Sequence, residues 1–419
     1  MEITKIEIDA LWVFLATILV FFMQSGFALL ETGIHSEKNI TNVFMKNIMD
    51  FVIASIAFWA VGFAFMFGNG SAYIGSEGWF LSGGQSSFLS LEWANIPLNF
   101  KFMFQLVFAG TAATIISGAI GGRVKFTSYL ILSILVTAII YPVLGKWVWG
   151  GGIASSLVDF AGSTVVHGVG GFAALAAVIN VGPRKNRFSK GSLRSYNVTF
   201  AALGTLILWL GWFGFNAGST MGLIGQIESI GHILLTTNLA ASSGALAAVI
   251  VAYFSWNKFD LPVTLNGALG GLVSITAGCS MISPANSILI GALAGIIVFY
   301  STLLLERLKI DDVVGAFPVH GLCGIWGTAC VGLFAYGEKK GLFYGGDFSF
   351  FFNQLGISIG ICLLAFISTH FVCKLIKLTI GLRVSDNEEQ VGLDISEHHN
   401  INFHETVINN QEHQQSLLM

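Results

Sequence analysis

Two histidines occupy matching places along this chain. Asp159 is followed eight residues later by His167, in Asp159-Phe-Ala-Gly-Ser-Thr-Val-Val-His167-Gly-Val-Gly-Gly171. Asp312 is followed by His320 in the same way, in Asp312-Val-Val-Gly-Ala-Phe-Pro-Val-His320-Gly-Leu-Cys-Gly324. Counted from the Asp, six of thirteen positions agree: Asp, +3 Gly, +7 Val, +8 His, +9 Gly and +12 Gly. An imidazole can take up, hold or pass a proton near neutral pH. Each His lies in an apolar stretch long enough to span a bilayer, where an ionisable side chain is costly and marks a functional site. Matching positions in two repeats point to one shared site near the membrane midplane. Metal binding is the rival use for two histidines, but no third ligand stands at a metal-binding spacing, so neither a metal nor another cofactor is expected.

Other polar residues read more plainly. Asp159 and Asp312 sit just outside the apolar cores, where a carboxylate caps backbone amides and complements a helix dipole. His232 and His370 lie near span ends without a partner motif and are expected to be hydrogen-bonded between packed helices. The five cysteines (279, 323, 330, 362 and 373) show no paired spacing and are read as small packing residues.

The elements that must carry these residues follow from composition. Hydrophobic residues make up 54% of the chain and charged residues 10%, with a mean hydropathy of +0.76. Soluble domains carry about 25% charged residues, which excludes that class. Eleven apolar runs approach the roughly 20 residues needed to cross a bilayer: 11–30, 51–67, 102–122, 127–145, 160–182, 197–219, 230–255, 262–283, 286–305, 313–336 and 350–373. Within them the only ionisable residues of the Asp, Glu, Lys, Arg and His types are His167, His232, His320 and His370. The fold class is therefore an all-α polytopic membrane protein with eleven transmembrane helices. The Asp-His motif falls in the fifth and tenth runs. An odd count per copy inverts the second repeat, so two five-helix inverted repeats are expected, plus an extra C-terminal helix. Residues 1–380 form the membrane domain, and 381–419 form a polar cytoplasmic tail.

With the N-terminus outside, cytoplasmic segments hold 15 of the 20 Lys and Arg residues, leaving Lys5, Lys101, Lys146, Lys339 and Lys340 outside. The positive-inside rule thus sets the N-terminus out and the C-terminus in, in a cell (inner) membrane. The segment before the first run is acidic (Glu2, Glu7, Asp9), unlike the basic start of a signal peptide.

Two aromatic clusters sit at the expected outer ends of spans. One is Trp147-Val-Trp149-Gly-Gly-Gly152, and the other is Gly211-Trp-Phe-Gly-Phe215-Asn-Ala-Gly-Ser219. Most Trp residues in such a chain serve as interface anchors. Aromatic faces beside a hydroxyl acceptor, however, can hold a small desolvated cation.

The segments DFAGSTVVH, GWFGFNAGS, VWGGG, FPVHGLCGIWG and GLDISEH, in residues 10–398, resemble the ammonium transporter (Amt/Mep/Rh) family on its Amt side. The resemblance implies an eleven-helix homotrimer with one substrate pathway per subunit. It implies that His167 and His320 are twin pore histidines, and that Phe108 and Phe215 form a stacked phenyl gate. Trp149, Phe108 and Ser219 become the external ammonium site, and Asp159 becomes its structural support. Gly392, Asp394 and His398 match a cytoplasmic motif that couples subunits near where PII-type signalling proteins dock. Beyond it the chain departs, with His399-Asn400 and Asn402-Phe403 where the family commonly has Gly-Glu and Ala-Tyr. The expected partners are ammonium or ammonia, the bilayer, further copies of the chain and a regulatory protein or signalling domain; nucleic acid is not expected. Transport or channelling of ammonium is the first functional reading, and an ammonium sensor signalling through the tail is the second. An enzyme is disfavoured because no nucleophile–base pair is present.

Overall fold

The computed structural model describes residues 4–189 and 195–398. Among them lie eleven apolar helical segments, ten of which are long and apolar enough to cross a membrane. They are α1 (Lys5–Ile34), α2 (Glu37–Phe67), α3 (Leu98–Ile120), α4 (Phe126–Val148), α5 (Ser163–Val181), α6 (Val198–Gly218), α7 (Ile227–Trp256), the shorter α8 (Leu261–Thr276), α9 (Pro284–Arg307), α10 (Phe317–Phe334) and α11 (Phe348–Thr379). Two short helices follow, α12 (Asp386–Val391) and α13 (Leu393–His398).

Starts are marked by side-chain caps that satisfy otherwise orphaned amides. Thr4 and Glu7 form a capping box on α1, while Asn197, Asp260, Ser283 and Asp347 cap α6, α8, α9 and α11. Proline in the first turn of α8 and α9 costs no helical hydrogen bond there.

The bundle is layered by burial. α3, α5 and α10 are mostly enclosed, whereas α2 and α11 leave most of their surface open. α1 lies along α6, the helix that matches it in the second repeat, and α7, α8 and α9 pack together. α5 and α10 cross almost backbone to backbone. A Cβ on Gly171 would fall 2.2 Å from the Gly321 amide nitrogen, so the crossing requires glycine.

Several helices run past the apolar runs read from sequence. α1 continues through Glu31, and α2 begins at Glu37 instead of 51, so Lys46 and Asp50 lie within it. All three are almost completely buried. A composition window stops at each charge because it takes every span to face lipid, but a bundle interior accepts partnered charges.

Candidate functional site

The two Asp-His motifs fold alike. Asp159 accepts hydrogen bonds from the amides of Gly162, Ser163, Thr164 and Val165 at 2.8–3.0 Å. Asp312 accepts from Gly315, Ala316 and Phe317 at 2.8–3.1 Å. Each carboxylate thereby gathers the amides at the start of its helix that have no intrahelical partner. Each helix then opens with a wider π-helical turn, over Ser163–Gly168 and Phe317–Leu322, and each of these turns carries the histidine. Such turns break the regular hydrogen-bond ladder and are frequent at functional sites.

The turns bring the histidines together at the α5–α10 crossing. His167 Nδ1 and His320 Nδ1 lie 3.2 Å apart, with ring centroids 5.2 Å apart and planes 21° from parallel. Only one hydrogen can lie between two Nδ1 atoms, so the neutral pair holds one donor and one acceptor. His167 also stacks on Trp212 at 4.9 Å, and Trp212 is held by its indole N–H to Thr276 Oγ1 at 2.9 Å. His167 Nε2 is buried with no hydrogen-bond partner among the described residues.

Next to the pair stand two phenyl rings. Phe215 is 5.3 Å from His167, and Phe108 stacks on Phe215 at 4.1 Å with a 45° tilt. On their far side a cavity of about 450 Å³ is lined by Phe108, Trp149, Asp159, Ser219 and Gln105, among others. Trp149 reaches Phe108 at 6.1 Å and is fixed by its indole N–H to the Asp159 carbonyl at 2.8 Å. Ser219 donates its hydroxyl hydrogen to the Phe215 carbonyl at 2.9 Å, which leaves the oxygen able to accept. Phe104 packs edge-on against Phe108 at 4.7 Å. Thus Trp149, Phe108 and Ser219 share one chamber, and Phe108, Phe215, His167 and His320 follow one another in ring contact.

Sequence reading did not select Gln105, whose Oε1 is buried without a partner among the described residues in a residue bordering this chamber. The only available signal was its position three residues before Phe108, nearly one helical turn away. His232 and His370 stay apart from the site. His232 bonds to the Ile282 carbonyl, and His370 bonds to Asn180.

At the opposite end of the molecule the tail folds back on the bundle. Asp394 accepts from the amides of Thr41 and Asn42 at 3.0 and 2.8 Å. Lys38 Nζ donates to the carbonyls of Glu389 and Gln390 at 2.6 and 2.8 Å. Gly392 has φ +113°, and a Cβ there would meet the Lys38 carbonyl at 2.6 Å. His398 Nε2 lies 3.0 Å from Asn42 Nδ2. The last part of the expected tail, residues 399–419 with the sequence departures at 399–403, lies outside the described residues.

An eleven-segment helical bundle with two like-folded halves meeting at a buried histidine pair defines a polytopic membrane protein with a candidate site at its repeat interface. The Ammonium Transporter Family profile matches residues 11–403, and the chain belongs to that family. It is 44% identical over 424 residues to the ammonium transporter Amt2 of Archaeoglobus fulgidus, covering 95% of this chain and 88% of that protein. It is 43% identical over 400 residues to the putative ammonium transporter sll1017 of Synechocystis, covering 93% and 88%. Among solved structures, a protein described as a sensor Amt protein aligns with a TM-score of 0.86 at 37% identity, over 94% of this chain and 99% of that one. Candida albicans Mep2 aligns with a TM-score of 0.84 at 26% identity, over 91% and 87%.

Proposed function

We propose that the protein moves ammonium across a cell membrane as a homotrimer, with the N-terminus outside, the tail in the cytoplasm and one pathway per subunit. The observation that carries this reading is the buried 3.2 Å histidine pair directly behind the Phe108–Phe215 stack. Ammonium enters the chamber and loses part of its hydration. Trp149 and Phe108 present π faces, each worth about 0.5–2 kcal/mol, enough to concentrate the ion without trapping it. Ser219 Oγ accepts one of its N–H groups, which an alkali ion of similar size cannot offer, and Gln105 Oε1 is a second acceptor.

A bare cation among hydrocarbon rings is costly, so the ion gives up a proton and crosses the ring gate as NH3. The proton enters at His167 Nε2. With the shared hydrogen initially on His167 Nδ1, that hydrogen passes to His320 Nδ1, and the hydrogen on His320 Nε2 leaves on the other side. One N–H bond forms and one breaks at each ring, so the pair ends with the same number of protons.

The test is current on solid-supported membranes carrying proteoliposomes. Wild type should give ammonium-evoked current, and His167→Ala and His320→Ala should each abolish or strongly reduce it. Full current in the double variant overturns the relay. The sensor reading draws support from the sensor Amt protein among the similar structures. It would be favoured by intact ammonium binding without wild-type current, accompanied by ammonium-dependent movement of residues 383–398. The tail is also the proposed docking place for a PII-type regulator.

A further inference from the structure

We propose that Glu31 is the proton acceptor on the tail side of the histidine pair. This rests on the histidine-relay reading above and extends it to the next group. A narrow cavity is lined by both His320 and Glu31, together with Thr114, Asn266 and Val314. Its volume is about 10 Å³, close to the room a single water requires. The cavity therefore joins the exit histidine to a carboxylate that is only 1% exposed within a membrane-spanning helix.

Glu31 is held for the task. Asn47 Nδ2 and Ser117 Oγ both donate to Oε2, at 2.9 and 3.0 Å, and neither bond uses Oε1. The Ser117 carbonyl is also the acceptor for Lys46 Nζ at 3.5 Å. Lys46 lies over the Tyr129 ring at 5.5 Å, and the Tyr129 hydroxyl donates to Asp50 Oδ1. Ser133 donates to the same oxygen at 2.7 Å, while Asp50 Oδ2 is buried without a partner among the described residues.

This connected cluster carries two formal carboxylates against one ammonium, leaving one negative charge inside the bundle. A single added proton cancels it. Buried uncompensated charge is expensive, so the cluster is built to attract one proton from the pair and not to be a static ion pair. In the step, the His320 Nε2–H bond breaks and an O–H bond forms on Glu31, through one water in the cavity. Release of that hydrogen to cytoplasmic water regenerates the carboxylate.

The experiment uses the full chain in proteoliposomes, pulsed with ammonium chloride, with a trapped pH dye reporting passage of neutral ammonia. Glu31→Gln keeps an oxygen for Asn47 and Ser117 but cannot be protonated in turn. It should lower the ammonium-evoked current at least tenfold while neutral ammonia still alkalinises the lumen. Glu31→Asp should restore a large part of the current. Undiminished current in Glu31→Gln overturns the proposal and leaves the histidine relay standing. Equal losses in Gln and Asp variants assign a structural role and also overturn it. Absent wild-type current, or full current in His167→Ala with His320→Ala, overturns the relay itself and this step with it. Should Glu31→Gln fail to fold, infrared difference spectra of wild type on ammonium addition decide. A protonated-carboxyl band displaced by Glu31→Asp supports the assignment, and its absence overturns it.

Discussion

At the scale of single residues, two places carry the polar and aromatic groups that matter: the proposed binding chamber and a locked turn on the tail side. In the chamber, Trp149→Leu removes one π face and Ser219→Ala removes one acceptor. Each should weaken ammonium binding by about 1 kcal/mol, roughly fivefold, without unfolding the protein. Calorimetric affinities unchanged in both variants would remove the chamber from the reading. On the tail side, Asp311 receives both a backbone and a paired side-chain hydrogen bond set from Arg184 at 2.8 Å. Burial alone raises its carboxyl, but the Arg184 hydrogen bonds, with the charges of Arg123 and Arg184, outweigh it and hold the group well below the usual carboxylate range. A folded-state depression means stability that is complete above the unfolded value of about 3.9 and is lost as pH falls from there through the folded value. Asp311→Asn should therefore cost about 3 kcal/mol at pH 7, since Arg184 and Arg123 lose a buried partner. The gap in melting temperature from wild type should narrow below about pH 4. A gap that stays constant across that range would contradict the ion-pair account.

At the scale of elements, helix crossings decide where the histidines meet. Gly171→Ala places a methyl against the Gly321 backbone at the α5–α10 crossing, and neither backbone can yield as a side-chain end can. Overpacking of this kind costs about 1–3 kcal/mol, and the helices should separate enough to part the rings. Scanning fluorimetry should record the lower melting temperature, and ammonium-evoked current should fall with it; a variant with wild-type melting and current would show that the crossing tolerates the methyl. The same elements show what was legible in the chain. Eleven apolar runs and the duplicated Asp-His spacing anticipated the bundle, its two halves and the meeting of His167 with His320, because helix length and repeat register are local properties. The Phe108–Phe215 stack was not legible from spacing, since it joins α3 to α6 and was anticipated only through family resemblance. Glu31, Lys46 and Asp50 were lost at the edges of the apolar windows. Their partners come from other helices, and a linear window cannot see the hydrogen bonds that make such burial tolerable.

At the scale of the whole molecule, the tail connects the far end of the chain to the start of α2, the helix that also holds Lys46 and Asp50. Asn42 Nδ2 donates to Glu397 Oε2 at 2.9 Å and faces His398 Nε2 at 3.0 Å. With the amide nitrogen already giving to a carboxylate, His398 completes the set only as an acceptor, through an unprotonated Nε2. Burial lowers its readiness to protonate, Asp394 opposes that effect and Lys46 reinforces it. The group packs edge-on against Phe126 at 4.9 Å, while the neighbouring Glu397 is raised by burial and accepts from the Phe126 amide. A histidine with a lowered folded-state value supports docking above its ordinary pKa of about 6.5, and that support is lost as pH falls below it. His398 is only partly buried, so solvent screening keeps the effect modest. Hydrogen exchange over residues 386–398 should therefore speed up between pH 7.5 and pH 5.5, after correction for intrinsic rates, and His398→Gln should flatten that dependence. Asp394→Ala should release the same segment at both pH values, because it removes the cap on α2 at 41–42 and not a titrating contact. Equal pH dependence in wild type and His398→Gln would assign the tail's response to another group, and not to Glu397, whose raised carboxyl favours docking as pH falls.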